Sequence, residues 1–212
     1  MRPELKLGLY LVTDERLSRG RATAEIVRAA IRGGIDAVQL RGKDLPAREQ
    51  LAIGRELRAI TRDAGVLFIV NDRVDLALAL AADGVHVGQD DLPAEIVRRL
   101  VGPEMIIGVS AATIPEALTA RAAGADYLGV GAIYGTATKL DAGAATGSAL
   151  LGTIAGAVDL PLVAIGGINA TNVAAVIAAG AAGAAVVSAI IAADDPEAAA
   201  RELQRRIAAA LR

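Results

Sequence analysis

Eight short apolar runs, each followed by a segment of helical spacing, constrain this chain more than any single motif. The runs cover residues 7–13, 36–41, 66–70, 84–88, 105–110, 127–131, 162–165 and 184–188. Amphipathic or alanine-rich segments lie between and after them, at 23–31, 46–64, 72–81, 92–100, 115–123, 148–157, 171–179 and 196–211. Glycines stop several of these helices, as at Gly33-Gly34 and Gly65. Strict alternation of strand and helix implies parallel strands. The runs are apolar nearly throughout, as expected of strands buried on both faces.

Eight such units in 212 residues predict one small (β/α)8 barrel, the TIM-barrel architecture, as a single domain over 1–212. The competing architecture is an open doubly wound sheet. The turn after the first run lacks the Gly-x-Gly-x-x-Gly pattern expected there. A faint repeat supports counting in pairs of units. Asp36, Asp83 and Asp126 each stand just before a strand, and the stretch from Gly180 is a weaker copy without the Asp.

Composition narrows the chemistry. Hydrophobic residues make up 54% and aromatics only 2%, so the core must be aliphatic. A net charge of −2 gives no general attraction to nucleic acid or anionic membranes, so any anion site must be local. With no cysteine and one histidine, thiolate and His-rich metal sites are excluded, leaving a hard cation held by carboxylates. No charged residue occurs from Leu160 to Ala193. Gly166-Gly167, Asn169 and Thr171-Asn172 interrupt that stretch, and its period changes within it, so it reads as buried strand–helix–strand rather than a membrane span. The expected location is the cytoplasm, with no signal peptide.

Ligand sites of such barrels lie at the C-terminal ends of the strands. Those ends carry Gln39, Arg41 and Lys43, then Asn71-Asp72, then Gln89, Asp90 and Asp91, then Ser110. Thr136, Thr138 and Lys139 follow the sixth strand, Gly166-Gly167 the seventh, and Val187-Ser188 the eighth. The opposite ends carry mostly Gly, Ala and Asp. Arg41 and Lys43 suit a polyphosphate; their bland alternative is a solvated charge pair. Asp72 and Asp91 suit Mg2+ shared with substrate phosphates, or else two helix N-caps. Gly166-Gly167 and Ser188 suit a second anion, as in barrels that bind phosphate after strands seven and eight. His86 reads as a structural histidine, and no Ser–His–Asp or Cys–His set can be argued, so charge stabilisation must carry the chemistry.

The loop over 131–147 is long for a compact domain and holds threonines, a lysine and several glycines. It lacks the Gly-x4-Gly-Lys-Ser/Thr spacing of a nucleotide P-loop. A phosphate-holding lid is the expectation.

As a set, Gln39-Leu-Arg41-Gly-Lys43, Asn71-Asp72, Asp83 to Asp91, Gly108-Val-Ser110, Gly131 to Lys139 and Gly166-Gly167-Ile168 resemble the thiamine-phosphate synthase family. The resemblance covers nearly the whole chain. It implies a transferase that joins hydroxymethylpyrimidine diphosphate to hydroxyethylthiazole phosphate by a dissociative displacement, with Mg2+. It implies that Gln39, Arg41, Lys43 and Asn71 hold the pyrimidine diphosphate, and that Asp72 and Asp91 bind the metal. Lys139 would help diphosphate leave, and Ser110 would sit beside the pyrimidine. Thr136, Thr138, Gly167, Val187 and Ser188 would take the thiazole phosphate. The partners implied are these small molecules, with no nucleic acid or membrane; oligomeric state is open, a homodimer being one candidate.

Ala132, Tyr134 and Leu140 depart from the family's usual loop, and Ala112 stands where members often have His. A related thiazole tautomerase uses a histidine in the strand-five loop, so Ala112 argues against that isomerase. A non-catalytic thiazole-phosphate binding module and another phosphate-handling barrel, such as a sugar-phosphate epimerase, are the remaining alternatives.

Overall fold

The computed structural model describes residues 3–136 and 145–212. Eight parallel strands close into a barrel in chain order. They are β1 (Leu9–Val12), β2 (Ala37–Leu40), β3 (Leu67–Asn71), β4 (Gly84–Val87), β5 (Ile106–Ser110), β6 (Tyr127–Val130), β7 (Leu162–Ile165) and β8 (Gly183–Val186). Pairing of β1 with β8 closes the ring through Leu9–Ala184, Tyr10–Ala185 and Leu11–Val186.

Helices follow the strands as α1 (Thr23–Arg32), α2 (Ala47–Ala64), α3 (Val74–Ala79), α4 (Ala94–Val101), α5 (Ile114–Ala122), α6 (Gly147–Ala155), α7 (Val173–Ala178), α8 (Ser188–Ile191) and α9 (Pro196–Ala210). Thr113 caps α5 by accepting from Glu116 N–H, and Asp195 caps α9 by accepting from Ala198 N–H. Gly65 ends α2 at φ 67°, a conformation that costs a Cβ-bearing residue about 1–2 kcal/mol.

The expected order of elements stands, with one correction. The last apolar run is read from the sequence as reaching Ser188. The strand ends at Val186, and Ser188 begins the one-turn helix α8. Apolar residues on both sides of that boundary hide the change of period. No helix among the described residues is long and apolar enough to cross a membrane.

Two cores result from strand alternation. Leu9, Leu11, Val38, Leu40, Phe68, Val70, Val85, Ile107, Leu128 and Val186 belong to the layer between sheet and helices. Tyr10, Val12, Ala37, Leu67, Ile69, Ile106, Tyr127, Val163 and Ala185 fill the barrel interior. Two tyrosines in that interior supply volume that an alanine-rich chain otherwise lacks. Full burial of a large apolar side chain contributes about 1.5–3 kcal/mol.

The aspartate repeat has a structural role at the N-terminal rim. Asp36 accepts from Leu9 N–H at 2.8 Å and donates its own N–H to Leu9 O. Asp83 forms the same reciprocal pair with Phe68, and Asp126 with Ile107. Arg58 and Arg98 add ion pairs to Asp83 and Asp126 at 2.8 and 2.7 Å. At the fourth repeat, Ala182 keeps the main-chain half, donating to Leu162 O. This rim therefore holds strands in register and leaves the opposite rim for ligands.

Candidate active site

The C-terminal ends of the strands surround one cavity of about 260 Å3. Gln39 from β2 lines it, with Arg41 and Lys43 just beyond that strand. Asn71 ends β3, Asp72 follows it, Asp91 lies in the turn after β4, and Ser110 ends β5; all four line the cavity. Thr136, Gly167, Val187 and Ser188 line the far wall after β6, β7 and β8. The expectations for Thr138, Lys139 and the lid over 137–144 lie outside the described residues.

Arg41 is held from behind. Its N–H donates to Thr13 Oγ1 at 3.0 Å, and its guanidinium lies 3.6 Å from the buried Asp14 carboxylate. Asp14 also accepts from Arg16 Nε and NH2 at 3.0 and 2.7 Å. Burial alone would raise the Asp14 pKa, but Arg16 and Arg41 outweigh it and hold the carboxyl below its usual range. Asp14 is a site-supporting residue that sequence reasoning missed, because Arg16 is a local neighbour but Arg41 reaches it only through the return of β2 beside β1.

Neither Asp72 nor Asp91 is a helix cap. The cap position of α3 is Arg73 and that of α4 is Pro93, neither with a side-chain capping bond. Asp72 sits at φ 60°, its N–H donating to His86 O at 2.7 Å, and its carboxyl meets that of Asp91. Asp91 accepts from Gly88 N–H at 2.7 Å. Burial pushes the Asp72 pKa up to about 6, the Asp91 charge adds to this, and Lys43 and Asn71 oppose it. Two adjoining carboxylates with a lysine nearby fit a divalent cation that shares its remaining ligands with a phosphate. No group of three or more His, Cys, Asp or Glu side chains that could hold a metal ion gathers among the described residues.

The far wall is a backbone surface. Gly166 and Gly167 adopt φ 98° and 64°, and a Cβ at Gly167 would lie 2.6 Å from Gly135 O. Tyr134 N–H donates to Gly166 O, and Asn172 Nδ2 donates to Gly167 O, both at 3.0 Å. Thr146 N–H donates to Ala132 O at 2.9 Å, which ties the two ends of the long loop together.

Beneath the mouth, five side chains form a continuous hydrogen-bonded line. Gln39 Nε2 donates to Tyr10 Oη at 2.9 Å, and Tyr10 Oη pairs with Tyr127 Oη at 3.0 Å. Tyr127 Oη pairs with His86 Nδ1 at 3.0 Å, and His86 Nε2 with Ser110 Oγ at 3.0 Å. His86 is thus hydrogen-bonded inside the barrel, as the sequence implies. The pairing of β4 with β5 does bring Ser110 against His86, across 24 residues of sequence, but without the aspartate of a Ser–His–Asp set. The third group is Tyr127, whose phenol burial drives well above its ordinary pKa, so it cannot stabilise an imidazolium as a carboxylate would.

Arg41, Lys43 and paired carboxylates at the C-terminal rim of a closed parallel barrel stand where enzymes of this fold place their active sites. Residues 9–190 match the family model for thiamine monophosphate synthase. The chain is 58% identical over 203 residues to thiamine-phosphate synthase of Roseiflexus sp. (strain RS-1), covering 96% of this chain and 86% of that one. It is 55% identical over 196 residues to the Moorella thermoacetica thiamine-phosphate synthase, covering 92% and 93%. Thiamine phosphate pyrophosphorylase from Pyrococcus furiosus superposes with a TM-score of 0.89 at 42% identity, covering 98% of each chain. This chain belongs to the thiamine monophosphate synthase family, whose members are transferases. A 3-hexulose-6-phosphate synthase, at 23% identity and a TM-score of 0.71, shares the fold.

Proposed function

We propose that this chain joins hydroxymethylpyrimidine diphosphate to hydroxyethylthiazole phosphate, releasing thiamine phosphate and diphosphate. The observation that carries the reading is the Asp72–Asp91 pair beside Lys43, in one cavity with the glycine turn at 166–167. One side suits a diphosphate with its cation, and the other a monophosphate.

In the displacement, the bond from the pyrimidine methylene carbon to the diphosphate oxygen breaks first, and its electron pair leaves with diphosphate. The thiazole nitrogen then supplies the pair for the new C–N bond. Arg41 and Lys43, with Lys139 from the loop, receive the growing charge on diphosphate. Asp72 and Asp91 hold Mg2+, which when bound adds positive charge to the leaving group. Gln39, Asn71 and Ser110 orient the pyrimidine. Thr136, Thr138, Gly167, Val187 and Ser188 bind the thiazole phosphate, so the nitrogen faces the carbon it attacks. No protein nucleophile is required.

An assay with both substrates and Mg2+, following thiamine phosphate, tests the reading. Product that requires both substrates and disappears with chelator supports it. Binding of both ligands without product would reduce the chain to a binding module.

A further inference from the structure

The line from Gln39 to Ser110 has a direction, and we propose that Tyr10, Tyr127 and His86 are positioning residues that set the proton order of both walls of the pyrimidine site together. Gln39 Nε2 can only donate, so Tyr10 Oη is its acceptor. The Tyr10 proton then goes to Tyr127 Oη, and the Tyr127 proton to His86 Nδ1. His86 Nδ1 must be unprotonated to accept it, so Nε2 carries the imidazole proton and donates to Ser110 Oγ. Ser110 is left with its own proton for the cavity that it lines.

The opposite order needs a different Gln39. Were Ser110 to donate to His86, each later proton would point the other way, and Tyr10 would donate to Gln39, which requires the amide turned over so that Oε1, not Nε2, faces the phenol. The ends are therefore coupled: Gln39 offers its carbonyl oxygen as an acceptor on one wall, while Ser110 offers a donor on the other. That polarity matches a ring with an amino group on one edge and a ring nitrogen on the opposite edge, as an aminopyrimidine has. This assignment of the ligand rests on the proposed function; the order of the wire does not.

The barrel is built around this line. A Cβ at Gly108 would strike His86 Nδ1 and the Tyr127 ring, and one at Gly129 would come within 2.9 Å of His86 Cε1. Burial keeps both phenols neutral, so each passes on a hydrogen bond without losing its proton. The same order withholds His86 as a base for Ser110, because the nitrogen facing Oγ already bears a proton.

The chain has one histidine, so 15N-histidine labelling reads the wire without assignment. The expected wild-type spectrum is a neutral imidazole protonated at Nε2. Gln39→Leu and the isosteric Tyr10→Phe, which do not touch His86, should shift the tautomer ratio toward Nδ1–H. Tyr10→Phe should raise KM for the pyrimidine diphosphate about tenfold, and the rise should vanish in a Ser110→Ala background. An Nδ1–H tautomer in the wild type overturns the proposal, as does a ratio indifferent to both variants or additive KM effects. If the wild type makes no thiamine phosphate yet has the Nε2–H tautomer responsive to Tyr10→Phe, the proposed function fails and the wire stands.

Discussion

Asp72 and Asp91 come from successive βα turns and bring two carboxyls into contact at the mouth of the barrel. Asp91 is fixed by the Gly88 amide, and Asp72 by a backbone bond to His86 O. The pair is costly without a cation, and the pKa of about 6 at Asp72 expresses that cost, through burial first and Asp91 second.

The sign of the resulting pH dependence is fixed. The folded Asp72 value lies above the ordinary 3.8, so the metal-free fold holds an extra proton between about 4 and 6. Stability of the metal-free chain should therefore fall as pH rises through that window. Mg2+ must displace the proton, so its affinity should rise about tenfold per pH unit up to pH 6 and then level off. Calorimetry in buffers of different ionisation enthalpy measures the released proton. Asp72→Asn should abolish the release and stabilise the metal-free chain above pH 6.

Asp91→Ala should abolish Mg2+-dependent activity while the far-ultraviolet circular dichroism stays native, since the residue caps no helix. Full activity in that variant would remove Asp91 from the metal site.

The two subsites should separate by kinetics. Ser188 is exposed on the far wall of the cavity, the side proposed for the thiazole phosphate. Ser188→Asp places a negative charge against the incoming phosphate and should raise KM for the thiazole substrate about tenfold or more. KM for the pyrimidine diphosphate should stay within about twofold. Equal increases in both would merge the two subsites.

The lower rim should govern stability alone. Asp126→Ala removes the acceptor of Ile107 N–H and the ion-pair partner of Arg98, whose guanidinium keeps the carbonyls of Gly102, Met105 and Gly124, with a cost of about 1–3 kcal/mol. Chemical denaturation should show that loss, while kcat of the folded fraction stays at the wild-type value.

The lining of the barrel should resist enlargement. Gly108→Ala drives a methyl into Tyr127 and His86, an overpacking cost of about 1–3 kcal/mol. It should lower both the melting temperature and kcat.

Much of this was legible in the sequence because it is local. Apolar runs of strand length are interrupted by glycine stops, so the eight units and the rim of polar ends could be read directly. Arg41, Asp72 and Asp91 follow from their distance past a strand end. The structure adds what closure of the ring makes. Tyr10 and Tyr127 are 117 residues apart and look like ordinary strand aromatics. Asp14 reads as a turn residue until β2 returns with Arg41 beside it. Ser188 reads as strand from sequence because α8 is only four residues, too short for a helical period to register.

The reciprocal aspartate pairs join β1 to β2, β3 to β4 and β5 to β6, with the main-chain remnant joining β7 to β8. The ring of eight is thus mechanically a cycle of four modules. New chain ends cut between modules, after α2, α4 or α6, leave every rim pair within one continuous piece. Cuts after α3 or α5 sever one. Circular permutants made at these two kinds of seam would differ in stability by the worth of a single carboxylate clasp, and the barrel could be dismantled and reassembled two strands at a time.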